Sequence, residues 1–270
     1  MRIREHVNLA RLSYINIGPY TDKLYIAESM DDLKDAGQCK ILGNLSNILF
    51  IKSRYSIKFM KLSGHFNHIE IDRENNKARA GAGNTIIRMI SVLSDSNLGG
   101  LEKLSGIPGT IGGMIRNNAG AFGMSIADRL AGIETPEGYR DISASDFSYR
   151  EGIDSTILFA HFNVSPKDKK SIIEEIDGVS AIRETSQPQG KTLGSVFKNP
   201  GGKLKAWELI DRCRLRGFSV NDIYVSKKHC NFFINRGSGT ADDFLRLGDI
   251  VRERVMKEFN IELEYEIELF

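Results

Sequence analysis

The sequence predicts an α+β protein, on three observations. Short β-type pieces broken by turns fill the chain before residue 165, helical patterns dominate after it, and the composition is that of an ordinary folded protein. The early pieces are KLYIA (23–27), CKILG (39–43), NILFI (47–51), IKFMKLSG (57–64), HIEID (68–72) and KARAGAG (77–83). TIIRMISVLSDSNL (85–98) interrupts them, with Ile86, Met89, Ile90 and Leu93 at helical spacing. Beyond the PKDKK turn (166–170), KKSIIEEIDGVSAIRET (169–185) and GKLKAWELIDRCRL (202–215) have the pattern of amphipathic helices. TADDFLRLGDIVRERVMKEFN (240–260) opens on Thr240 as N-cap, with Asp243 three residues on. Short strands are expected at GSVFKNP (194–200) and HCNFFIN (229–235). The closing run IELEYEIELF alternates, with Glu262, Glu264, Glu266 and Glu268 on one face and Ile261, Leu263, Tyr265, Ile267 and Leu269 on the other.

Bulk numbers narrow the function. The 37 basic and 35 acidic residues leave a net charge of +2, which gives no electrostatic case for a nucleic-acid partner. Cys39, Cys213 and Cys230 are odd in number and scattered, against a disulfide frame or a zinc site and for a reducing compartment. MRIREHVNLA has basic residues without an apolar stretch behind them, and no apolar run approaches eighteen residues, so a cytoplasmic protein without a membrane partner is expected. His65 and His68 lie three apart with no further ligand at metal-binding spacing, and no metal is expected.

The most unusual stretch is GIPGTIGGMIRNNAGAFG (106–123). Glycine loses the most conformational freedom on folding, so such a cluster is costly unless the backbone itself must touch something. One reading is an anion site, with Pro108 opening a short helix and the N–H groups after it free to face a phosphate. The other is a turn that packs one element tightly on another. The segment lacks the GK[ST] of a P-loop and the G-x-G-x-x-G of a dinucleotide fold, so composition leaves both readings open.

SGIPGTIGGMIRNNAGAFG resembles the flavin-binding segment of the UDP-N-acetylenolpyruvoylglucosamine reductases. LGNLSNIL (42–49), SYREG (148–152), GSVFKNP (194–200) and LEYEI (263–267) follow the family's order, and the resemblance covers nearly the whole chain. It implies a two-part FAD-binding fold of the vanillyl-alcohol-oxidase (PCMH) type, followed by a smaller α+β substrate-binding domain. The parts are expected at 1–56, 57–167 and 168–270, with the C-terminal strand returning to the active site. It also implies a monomeric enzyme of peptidoglycan precursor synthesis, which reduces an enolpyruvyl ether of a UDP-sugar with NADPH through FAD. Between Asn199 and Asn235 there is little room for the βαββ insertion of some members, so the shorter form without a tyrosine lid is expected.

Such a reaction builds negative charge on the substrate's carboxylate and α-carbon, which calls for fixed positive charge and donors there. The resemblance gives the first task to Arg150, whose guanidinium grips a carboxylate at two points, beside Tyr149. It makes Ser195 the proton donor: a hydroxyl is a weak acid, but an α-carbanion is a stronger base. Glu266 is implied to stabilise or protonate the intermediate, its pKa raised beside the substrate's own carboxylate. Without the resemblance, Arg150 reads as a surface arginine, Ser195 as a strand opener and Glu266 as part of a solvated acidic face. Lys198 and Asn199 are expected at the substrate's phosphate or sugar, His229 and Asn231 near its nucleotide, and Gln187 at the entrance.

For the flavin diphosphate the resemblance implies Gly43, Asn44, Leu45, Ser46 and Asn47 on one side and Gly109, Thr110, Gly112, Gly113 and Asn118 on the other. Relatives usually have G-G-G-S-N where this chain has Gly43-Asn44-Leu45-Ser46-Asn47. Asn44 tolerates a positive φ, whereas Leu45 is poorly suited to one. Phe122 stands where relatives often have Tyr. Two alternatives remain: another FAD-linked oxidase or dehydrogenase of the superfamily, and a nucleotide-sugar binding protein without flavin, which would be colourless.

Overall fold

The computed structural model describes residues 1–34 and 37–270 in full. Two compact units emerge, each assembled from separated stretches of chain. Unit 1 comprises Met1–Glu5, Lys23–Asn44 and Ile57–Arg183, and unit 2 comprises His6–Asp22, Leu45–Ser56 and Glu184–Phe270. These bounds cut across the consecutive divisions expected at 56/57 and 167/168, because residues 6–22 and 45–56 pack with the last third of the chain.

In unit 1, Lys58–Leu62 runs parallel to Tyr20–Ala27 on one side and to Cys39–Ile41 on the other. Helix α1 (Met30–Ala36) connects the latter two, opened by a reciprocal capping box between Ser29 and Asp32. A second, antiparallel sheet of five strands has the order Gly138–Asp141, Leu130–Thr135, Phe159–Asn163, Lys77–Gly81, Ile69–Asp72. Helix α2 (Ile86–Asp95), capped by Thr85, buries the predicted stripe of Ile86, Met89, Ile90 and Leu93. That stripe joins Ile133 and Phe162 of the sheet and Ile111, Met114 and Ile115 of α3 (Ile111–Arg116) in one core. Helix α4 (Lys169–Ser186) covers the predicted 169–185 span and belongs to unit 1 as far as Arg183.

Unit 2 has Ile223–Val225 between Ser219–Val220 and Phe233–Asn235, all antiparallel. Helix α5 (Ala206–Arg212) is half the predicted length, since Gly201 and Gly202 hold positive φ (101° and 59°) ahead of it. Helix α6 (Ala241–Phe259) starts at the Thr240/Asp243 capping box and ends on Asn260 in the left-handed region. It packs Phe244, Leu247, Val251 and Val255 against Phe233, Phe197 and Leu263. GSVFKNP and the acidic tail are not continuous strands. The former pairs only at Ser195 and Phe197, and the tail adds one parallel pairing, Glu268 with Ile48 and Leu269 with Leu49. No helix is long and apolar enough to cross a membrane among the described residues.

Candidate active site

Unit 1 carries the glycine segment. Three of the N–H groups after Pro108 are engaged: Ile111 donates to the Asn84 carbonyl (2.8 Å), Gly112 to that of Ala82 (3.0 Å) and Gly113 to Thr110 Oγ1 (3.3 Å). At Ile111 and Gly112 the main-chain donors dock α3 onto the 82–84 turn, which is the packing reading of the segment. Gly112 is glycine for packing, since a Cβ there would stand 3.0 Å from that of Ala82. A Cβ on Gly43 would stand 2.7 Å from Thr110 Oγ1, and one on Gly109 2.9 Å from Met114 Cγ. Around Gly113 only Thr110 Oγ1 comes near, at 3.4 Å, so bare backbone is open there. Asn44 Nδ2 donates to the Pro108 carbonyl (3.0 Å), tying the early turn to the glycine segment.

Arg150 stands on a loop clamped to the end of the same segment. Asn118 Nδ2 donates to the Ser148 carbonyl (2.9 Å), Gly152 N–H to that of Arg116 (3.1 Å) and Arg150 Nη1 to that of Gly120 (3.2 Å). Arg150 holds a left-handed backbone, φ 61°, and its guanidinium lies 5.4 Å from the Tyr149 ring centre. A non-glycine residue there costs about 1 kcal/mol, borne because the loop is fixed on both sides. Arg183 lies over Phe122 at 5.2 Å, its charged form disfavoured by burial.

Unit 2 carries the serine segment. Ser195 faces Phe232 and Phe197 faces Tyr265, both antiparallel. Val196 N–H donates to the Asn231 carbonyl (2.8 Å), while Glu266 N–H donates to Val196 O (2.8 Å) and Lys198 N–H to Glu264 O (2.9 Å). Ser195 thus lies on the chain immediately beside that of Glu266. Phe197 and Tyr265 form a non-hydrogen-bonded pair, and their rings stack at 5.0 Å. Asn231, 4% exposed, accepts from Phe197 N–H (3.0 Å) and donates to Phe197 O (2.8 Å), so its amide is spent on the serine segment at both ends. Asn47 Nδ2 donates to the Glu266 carbonyl (3.2 Å), and Glu268 N–H to the Asn47 carbonyl (2.8 Å), which fixes the tail on the early turn. In that turn Leu45, not Asn44, takes the positive φ (53°), with its side chain buried.

The remaining candidates sit close by. Lys198 Nζ is 3.6 Å from the Glu264 carboxylate, and Asn199 Oδ1 accepts from Ala206 N–H (3.0 Å) ahead of α5. Burial keeps the His229 imidazole neutral by lowering its pKa, between the rings of Trp207 (5.9 Å) and Phe232 (4.8 Å). Burial also pushes the Cys230 thiol up to about 11, so it stays protonated. No group of metal-ligating side chains occurs among the described residues. Sequence reasoning missed Asn84 and Tyr265, whose importance lies in backbone and ring contacts without a sequence motif.

Residues 26–135 match the family model of an FAD binding domain, and residues 186–270 match that of the UDP-N-acetylenolpyruvoylglucosamine reductase C-terminal domain. A reductase of that name from Beijerinckia indica is 36% identical over 98% of this chain and 89% of its own length, and one from Bradyrhizobium sp. is 42% identical over 73% and 67%. The crystal structure of UDP-N-acetylenolpyruvylglucosamine reductase from Thermus caldophilus superposes with a TM-score of 0.86 at 29% identity, covering 100% of this chain and 99% of that one. A PCMH-type FAD-binding fold with a substrate-binding α+β domain after it defines a flavin-dependent oxidoreductase. The chain belongs to the UDP-N-acetylenolpyruvoylglucosamine reductase family.

The residues present fit the flavin. Bare backbone at Gly113 leaves room for a close approach, and Asn118 Oδ1 is shielded from solvent with no hydrogen-bond partner among the described residues. An acceptor in that state suits an N–H group brought by a ligand.

Proposed function

We propose that this chain reduces the enolpyruvyl ether of UDP-N-acetylglucosamine to UDP-N-acetylmuramate in the cytoplasm, with NADPH as reductant and as a monomer. The observation that supports this reading is the hydrogen bond from Glu266 N–H to Val196 O, which joins the main chain of Glu266 to the serine segment in a chain of this family. FAD, when bound, supplies the hydride chemistry that no side chain can perform. Thr110, Gly113 and Asn118, with Ser46 and Asn47 of the early turn, are the residues proposed to hold it.

Around the substrate the chain's own groups bind, orient and move the proton. Arg150 holds the carboxylate, and its loop, clamped at Ser148, Gly120 and Arg116, needs little rearrangement to do so. As charge develops on the α-carbon, the guanidinium stabilises it more than it stabilises the bound ground state. A hydrogen bond from the Glu266 carboxyl group stabilises the anion on that carbon, and Ser195 Oγ–H then gives the carbon its proton. Asn231 acts on the reaction through Phe197, by keeping the serine segment straight. Tyr149, Lys198, Asn199 and His229 line the way for the sugar and phosphates.

The test is an absorption spectrum of the purified protein, then anaerobic reduction with NADPH and reoxidation by the enolpyruvyl ether. A yellow protein that completes both half-reactions supports the reading; a colourless one, or a reduced one that the ether does not reoxidise, overturns it. Ser195→Ala should leave reduction by NADPH nearly normal while slowing reoxidation by about three orders of magnitude. Equal loss in both half-reactions would make Ser195 structural.

A further inference from the structure

We propose that Trp207 is the stacking platform for the base of a bound nucleoside diphosphate, with the lysines of the 198–205 stretch beside its phosphates. This rests on the reading of unit 2 as the substrate-binding part. Trp207 is the only tryptophan in the chain and stays 36% exposed in the first turn of α5, although Leu209 and Ile210 just after it are buried. Its position follows from a run of contacts. In a non-hydrogen-bonded antiparallel pair the facing side chains stand side by side on one face, so Phe232 marks the face of Ser195. The Phe232 ring meets His229 edge-on at 4.8 Å (73°), and His229 meets Trp207 at 5.9 Å (46°). Trp207 therefore lies on the serine face, two ring contacts away from the cross-strand partner of Ser195.

The connecting stretch suits the rest of such a ligand. Lys198, Lys203 and Lys205 precede Trp207, and Glu208 is the one acid within residues 198–208; although the Glu264 carboxylate lies 3.6 Å from Lys198, the stretch keeps an excess of positive charge for a diphosphate. Asn199 anchors the start of α5 through Ala206 N–H, which fixes the tryptophan relative to the serine segment. Base stacking on an aromatic ring is tolerant of the base, so the shared chemistry is a nucleoside diphosphate, brought by the UDP-sugar or by NADPH.

Because Trp207 is the sole indole, the emission of the flavin-loaded wild-type protein reports this one position. UDP should change it saturably if the platform serves the sugar nucleotide, and NADP⁺ should do so if it serves the reductant. Either response supports the proposal; no response to UDP or NADP⁺ overturns it. In steady state, Trp207→Leu should raise KM for the corresponding nucleotide about tenfold with kcat changed little, and Trp207→Phe should restore most of the loss. Unchanged KM values for both nucleotides in Trp207→Leu would overturn the proposal. A protein whose indole responds to UDP but which leaves the enolpyruvyl ether unreduced would keep the platform and discard the proposed reaction.

Discussion

The hydroxyl of Tyr265 lies so close over Gly248 of α6 that a Cβ at that position would overlap the oxygen. That hydroxyl is buried, has no hydrogen-bond partner among the described residues, and has its pKa pushed up to about 12 by burial. Gly248→Ala should therefore lower stability by about 1–3 kcal/mol through overpacking. Tyr265→Phe should be neutral or stabilising, because it removes an unsatisfied polar group, and should reduce the cost of Gly248→Ala. Urea unfolding of the two single variants and the double variant checks the coupling; strict additivity would refute it.

Gly152 should be equally intolerant. A Cβ there would overlap the Ile115 carbonyl oxygen, which pushes the loop that carries Arg150 away from the end of α3. Gly152→Ala is expected to cost about 100-fold in kcat/KM for the enolpyruvyl substrate, the scale of a misplaced catalytic group. Reduction by NADPH should fall much less, and rapid-reaction kinetics separates the two.

Leu45 sets two effects against each other. A left-handed backbone costs a leucine about 1–2 kcal/mol relative to glycine, whereas emptying a buried leucine site costs about 2–5 kcal/mol. Burial wins, so Leu45→Gly should destabilise by about 1–3 kcal/mol even though it restores the glycine usual in relatives. A rise in the thermal midpoint would contradict this balance.

Glu134 carries a pH dependence. Arg79 donates to it through Nε (2.6 Å) and Nη2 (2.8 Å), and His161 Nε2 lies 2.7 Å from the same carboxylate. Chiefly the Arg79 hydrogen bonds hold its pKa at about 2 against an ordinary 4.5. Since the folded value is the lower one, the stabilisation is complete above about 4.5 and is lost as pH falls from there towards 2. Partial exposure keeps it modest. The wild-type urea midpoint should fall more steeply across that window than that of Glu134→Gln, and parallel curves would exclude the linkage.

What was legible in the sequence divides along physical lines. Helix α2 and helix α6 were legible because a 3.6-residue apolar period and a capping box are local signals. The acidic tail showed its alternation, and Leu263 and Ile267 are indeed buried while Glu262 and Glu264 are exposed, yet it pairs only at Tyr265 and at Glu268–Leu269. The glycine segment was legible as unusual but not in its division of labour, since Gly112 packs on Ala82 whereas Gly113 faces open space. Nor could the left-handed Leu45 or the overlay of Tyr265 on Gly248 be read, for each depends on residues far apart in the chain. The site residues were placed by family resemblance, and their neighbours by three-dimensional pairing alone.

The parallel pairing of Glu268 with Ile48 sets a schedule for synthesis. Residues 268 and 269 must be made before Ile48 and Leu49 can find this partner, so the growing chain carries the apolar NILFI stretch with that edge unfilled while more than two hundred residues are added. Deleting Glu268 and Leu269 would leave that edge open for good, and the product should be cleared or aggregate before any question of turnover arises.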